Sequence, residues 1–142
     1  MADSSADFTI SAPEADQQRV LQEWLDDAAQ QGIDVGDVMS ISRAFDGYVE
    51  QTVQTKAAER GDPTTFCTMI GFAMGEHLRQ RSSLEWRVVT DSQGTDLALT
   101  TPDESAVLFP SDPVAAAWEV AEVGWIPQWV ENLLVGLTDS PA

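Results

Sequence analysis

One segment restricts the fold more than any other. After the start signal Asp62-Pro63, residues Phe66, Cys67, Met69, Ile70, Phe72, Ala73, Met74 and Leu78 recur at helical spacing. They put apolar side chains on both faces of that helix for two turns. A surface helix needs one apolar stripe, whereas a helix apolar all round must be covered from several sides. This third helix is therefore expected at the centre. Gly71 and Gly75 stand four apart on one of its faces. With no Cβ at either position, another element can approach the backbone closely, so the pair reads as a packing notch. It is no phosphate loop, because neither Lys-Ser nor Lys-Thr follows and no strand runs into it.

The flanking segments supply the cover. Residues 1 to about 12 are small and polar and are expected to form a loose tail. Pro13 suits a first helical turn, and Val20, Leu21, Trp24, Leu25 and Ala28 then mark a helix over about 13–31, ended by Gly32. Asp34 or Asp37 can cap a second helix through Val38, Ile41, Phe45, Tyr48, Thr52 and Val53, running to about Glu59. Gly47 weakens it by up to about 1 kcal/mol unless a neighbour packs closely there. The short loop between the two predicts an antiparallel helix hairpin.

Beyond the central helix the period changes to two. Leu84, Trp86 and Val88 alternate with Glu85, Arg87 and Val89, a strand pattern. Asp91-Ser92-Gln93-Gly94 is a turn, Thr95 to Thr100 a second strand, Thr101-Pro102-Asp103-Glu104 a turn and Ala106 to Phe109 a third strand closed by Pro110. These make a three-stranded antiparallel meander with the central helix as its cover. Asp112-Pro113 then opens a short helix through Val114, Ala117, Trp118 and Ala121, broken at Gly124. Pro127 starts a last helix through Trp129, Val130, Leu133, Leu134 and Leu137. The expected fold is one α+β domain over 13–137, with an N-terminal helix hairpin, a central helix on a meander, and C-terminal helices.

Four ordered pieces carry a resemblance. They are Ile70-Gly71-Phe72-Ala73-Met74-Gly75-Glu76-His77-Leu78, Leu84-Glu85-Trp86-Arg87-Val88-Val89-Thr90-Asp91, Gly94-Thr95-Asp96-Leu97-Ala98-Leu99 and Val107-Leu108-Phe109-Pro110. Over roughly residues 64–118 the chain resembles the bacterial family called domain of unknown function 3806. That family has a G-x-x-x-G-E-x-L helix, a Trp-bearing strand, a G-T-D-x-A-L turn and strand, and a strand ending in F-P. The resemblance implies the helix-plus-meander arrangement and no catalytic residue. Many members place a basic pair in the next helix. Here that helix, from Asp112 to Val120, holds no base, so no role of that pair carries over.

Charge narrows the function classes. The chain has 24 acidic and 7 basic residues, a formal charge of -17. Such a surface repels nucleic-acid phosphates and anionic membranes. From Asp91 onward there are 9 acids and no base, so no basic amphipathic helix exists for membrane docking. No apolar run approaches the roughly 18 residues of a membrane span. The first residues lack the basic start and apolar run of a signal peptide. Cys67 is the sole cysteine, which excludes a disulfide scaffold and fits a reducing compartment. Cytoplasmic residence is the expectation.

Few residues suggest chemistry. Glu76, His77, Asp91 and Asp96 are the candidate catalytic set for a small hydrolase or a metal-dependent enzyme, provided they converge on one pocket. Read singly, each has a structural role: His77 as a lone histidine without zinc partners, Asp91 bonding its own turn, Asp96 capping the sheet edge or pairing with Arg87. Cys67 lies among apolar neighbours and is expected to be an inert thiol. Asp103 and Glu104 belong to a solvated turn. Trp118, Trp125 and Trp129 crowd the C-terminal segment, where helix spacing alone cannot bury all three. Tryptophan is favoured at interface hot spots, so these are candidate partner-binding residues. No cofactor or metal is implied. The leading expectation is a non-enzymatic module that docks a basic protein partner, or a second copy, through an acidic and aromatic surface. The enzyme just described is one alternative. A small-molecule binding module using the gap between central helix and sheet is another.

Overall fold

The computed structural model describes residues 8–139. In chain order its elements are β1 (Thr9–Ser11), α1 (Ala15–Gln30), α2 (Val38–Gln54), a 3-10 turn (Ala57–Glu59), α3 (Thr64–Arg81), β2 (Glu85–Asp91), β3 (Gly94–Thr100), β4 (Val107–Leu108), α4 (Ser111–Glu119) and α5 (Ile126–Asp139). The α+β class and the meander β2-β3-β4 follow the expectation. The sheet has four strands rather than three, all antiparallel, in the order β1-β2-β3-β4. The additional strand pairs Ile10 with Val89 and Ser11 with Val88, on the free edge of β2. It lies within the segment expected to be a loose tail. Residues 1–7 of that segment fall outside the described residues.

The central helix is the hub. Ile70, Ala73, Met74 and Leu78 of α3 have no exposed surface, and Cys67, Met69, Gly71, Gly75, Glu76 and His77 are also buried. Three aromatic contacts tie its neighbours to it. Trp24 of α1 stacks on Phe72 at 5.7 Å, and Phe72 leans on Trp86 of β2 at 5.5 Å. On the other side, Tyr48 of α2 stacks on Phe66 at 3.9 Å and meets Trp118 of α4 at 5.2 Å.

The expected α1–α2 hairpin is not formed. α1 packs chiefly on α3, and α2 packs on α5 and α3. A helix apolar all round offers each of them more apolar surface than they offer one another. In the linker between them the Asp34 side chain accepts from Gly36 N at 2.9 Å. Asp37 caps α2, accepting from Met39 N at 3.0 Å. α2 also ends earlier than expected, at Gln54, with Thr55 extended and Arg60 donating back to Thr55 O at 2.9 Å. Asp62 caps α3 as read, accepting from Thr64 N at 3.0 Å and Thr64 Oγ1 at 2.7 Å. Asp112-Pro113 does not cap α4; the helix begins one residue earlier, so both sit in its first turn.

The glycine notch is occupied as its spacing suggests. A Cβ on Gly71 would lie 2.7 Å from Ser111 Cα, where the chain enters α4. A Cβ on Gly75 would lie 2.5 Å from Trp86 Cη2 and 3.0 Å from Pro110 Cγ. One face of α3 thus receives both the strand tryptophan and the β4–α4 junction. Gly47 of α2 has nothing within 4 Å and is exposed, so packing does not offset its entropic cost.

Opposite outcomes are therefore expected for the same chemical change. Gly71→Ala and Gly75→Ala should each lower stability by about 1–3 kcal/mol through overpacking, despite better helix propensity. Gly47→Ala should raise it by about 0.4–1 kcal/mol. Urea unfolding of the three variants checks both signs.

Candidate functional site

Glu76 and His77 are adjacent on α3 but serve different neighbours. A step of one residue turns a helix by about a quarter of a circle, which separates their directions. Glu76 points to the sheet. Its Oε1 accepts from Arg79 Nε at 2.9 Å and Trp86 Nε1 at 3.1 Å. Its Oε2 accepts from Arg79 Nη2 at 2.6 Å and Gln80 Nε2 at 3.4 Å. Burial alone pushes this carboxyl up, but the donors from Arg79, Trp86 and Gln80 outweigh it and hold the group below the ordinary carboxylate value. A carboxylate so held is a weak proton acceptor, and its lone pairs are already engaged.

His77 points to the α1–α2 linker. Its Nδ1 lies 2.9 Å from Val35 O, and its Nε2 lies 3.4 Å from Arg81 Nη1. A carbonyl only accepts, so Nδ1 carries the hydrogen and Nε2 faces the guanidinium as an acceptor. Arg81 in turn donates to Glu131 Oε2 at 2.8 Å, tying α3 to α5. The histidine thus joins three segments at their meeting point, and it is 3% exposed.

Asp91 bonds its own turn, accepting from Gln93 N at 2.8 Å. Asp96 lies across from Val89 on the exposed part of β3. The expected Asp96–Arg87 pair is not formed: Arg87 is ion-paired with Glu85 and donates to Trp86 O at 2.8 Å. Asp103 gathers Ser105 Oγ, Ser105 N and Thr101 Oγ1 around one oxygen, and these bonds hold its carboxyl low. Among the described residues no three His, Cys, Asp or Glu side chains come together as a metal would need. Cys67 is buried, and burial pushes its thiol up, away from the reactive thiolate. The space between central helix and sheet, beside Gly71, Trp86 and Leu97, is about 20 Å³, too small for an organic ligand.

The three late tryptophans are half-buried, each with one side against the core. Trp118 separates two shallow grooves, one of which reaches Val53 and Pro63. Trp125 meets Phe45 edge-on at 5.8 Å and Trp129 edge-on at 6.1 Å. These two, with Pro113 and Ala116 of α4 and Glu122, Gln128 and Asn132, line an open groove of about 460 Å³. Sequence reading singled out the tryptophans but not their polar companions. The signal was present: Trp125, just before α5, and Gln128, Trp129 and Asn132 within it fall at i, i+3, i+4 and i+7, one helical stripe. Ile126, Val130 and Leu133 form its inward stripe. In the same region Val120 is 71% exposed, Val123 45% and Val135 56%. No helix of the described residues is long and apolar enough to cross a membrane.

The Glu76 cluster yields a pH prediction. Its carboxyl titrates lower in the folded chain than the ordinary 4.5, so the unfolded chain takes up the proton first. The stabilisation is complete above that ordinary value and is lost as pH falls through the folded one. Glu76→Gln should cost about 1–3 kcal/mol at neutral pH. The gap between the two proteins in urea unfolding should shrink steadily on acidification below pH 4.5.

No curated protein and no solved structure matches the chain. Three of the four pieces that carried the resemblance meet at one place: Gly75 lies against Trp86 and Pro110, and Glu76 accepts from the Trp86 indole. The family model matches residues 47–131, a longer stretch than those four pieces span, from the middle of α2 into α5. The chain belongs to the family described as domain of unknown function 3806.

Proposed function

We propose that this protein is a cytoplasmic, non-enzymatic interaction module that receives a basic protein partner on the face made by α4, the α4–α5 loop and α5. The observation that carries this reading is the make-up of that face. Half-buried Trp118, Trp125 and Trp129 stand beside exposed Val120, Val123 and Val135. Around them are Asp112, Glu119 and Glu122, while Glu131 is paired with Arg81 and Arg60 lies across the groove beside Trp118. Aromatic side chains with one side free are the usual anchors of protein interfaces, and a predominantly acidic rim steers an oppositely charged partner. The loop that presents Val120 and Val123 is held in place, with Gly124 N donating to Asp46 of α2 at 3.0 Å. A fixed surface binds at lower entropic cost than a mobile one.

The hydrolytic alternative requires Glu76, His77, Asp91 and Asp96 around a common point. Their partners lie on the sheet, the α1–α2 linker and the β2–β3 turn respectively, with Asp96 exposed on β3. The docking reading is tested in the native cell with a photo-crosslinking residue placed at Val120, and at Gln93 on the β2–β3 turn as control. A discrete heavier adduct at Val120, absent at Gln93, is the expected result. Equal or no adducts at the two positions would overturn the reading. An adduct of twice the chain mass would assign the face to a second copy instead.

A further inference from the structure

β1 and α1 are held to the rest of the chain by little. From Phe8 to Asp27 no residue is buried, although this stretch holds a strand and most of a helix. Its main inward side chain is Trp24, stacked on Phe72 of α3, and Leu21 and Leu25 are only half-buried. Among the described residues, every side-chain hydrogen bond made by α1 stays between Pro13 and Asp26. Its one ion pair, Arg19 with Asp16, is internal to the helix. The stretch carries Glu14, Asp16, Glu23, Asp26 and Asp27 against Arg19, on a chain whose formal charge is -17, so like charges oppose its attachment. The attachment changes at Ala28. Ala28 has no exposed surface, Ile33 is buried, and His77 holds Val35 O. Gly32, at φ 83, turns the chain between these anchors.

We propose that β1 and the part of α1 before Ala28 form a strap that lifts as one unit while α2, α3 and the meander β2-β3-β4 stay folded. The free energy of such an opening follows the apolar surface and the backbone bonds that the segment shares with its neighbours, and both are small here. The ladder is three residues long, Thr9 to Ser11 against Val88 to Thr90. Only Ala12, Pro13 and Glu14 join β1 to α1, and Pro13 fixes its own φ. That connection is too short and stiff for the helix to leave while the strand stays paired. Lifting bares the β2 edge at Val88–Thr90 and the Phe72 ring, behind which stands Trp86. An open sheet edge is a template for any extended chain, and β1 occupies it while the strap is closed. The device involves no residue of the α4–α5 face and stands or falls apart from the docking reading.

The test is native-state hydrogen exchange on the intact protein, read by NMR and taken relative to each amide's intrinsic rate. The α1 amides from Leu21 to Leu25 should exchange about a hundredfold or more faster than those of Ile70, Ala73 and Met74 in α3. Two variants separate a lifting strap from unfolding of the whole chain. Ile10→Gly changes β1 alone, and it should speed the α1 amides about threefold or more because strand and helix open together. Val130→Ala weakens the core at α5, which stays in place when the strap lifts. It should speed the α3 amides about tenfold or more and leave the α1 amides at their original rate. Protection of α1 equal to that of α3 would overturn the proposal. So would α1 amides indifferent to Ile10→Gly, or a Val130→Ala that speeds both helices alike.

Discussion

The structure depends on two missing methyl groups. At Gly71 and Gly75 the surface of α3 is bare backbone, and two separate parts of the chain come closer there than any side chain would permit. The Trp86 ring settles on Gly75, which brings its indole nitrogen to Glu76. The β4–α4 junction crosses at Gly71, which fixes where α4 begins. α4 in turn forms one wall of the groove whose other wall is α5. Close packing of this kind adds contact on every side of the approach, and interiors lose stability quickly when such contacts are lost or crowded.

Glu76 is the polar counterpart of that notch. Putting a carboxylate in this position carries a desolvation cost, which its donors must offset. The guanidinium of Arg79 comes from the next turn of the same helix, and the indole comes from the sheet. One bond is therefore local and the other forms only when helix and strand have docked in register. This makes Glu76 a reporter of correct docking. The same occupancy separates it from a catalytic acid, which needs a raised titration range and a free lone pair toward substrate.

Much of this was legible in the sequence, and the exceptions have physical causes. Period-two alternation over Leu84 to Val89 and Thr95 to Thr100 located the long strands, because each has one face on the core. The all-round apolar pattern located α3. β1 escaped because Thr9-Ile10-Ser11 is too short to show a period, and its partner lies about eighty residues away. The helix hairpin was inferred from loop length, a local signal, whereas the all-apolar surface of α3 decided which helices pack together. For the site, adjacency of Glu76 and His77 suggested a shared pocket, but neighbours on a helix diverge. Only the long-range partners Val35 and Trp86 decide where each points. The α5 stripe was readable in principle from its i, i+3, i+4, i+7 spacing. The inward leucines and valine were the louder pattern.

Charge and shape do separate work on the α4–α5 face. A chain of net charge -17 attracts any basic protein over distances up to the Debye length, about 8 Å in physiological salt, so charge alone speeds encounter without choosing a partner. Choice must come from contacts that exclude water. The Trp125–Trp129 groove offers those on one side only, since its outer face is open. On the docking reading, selectivity would follow from how fully a partner fills that groove, and affinity from how little ordering the partner needs to do so.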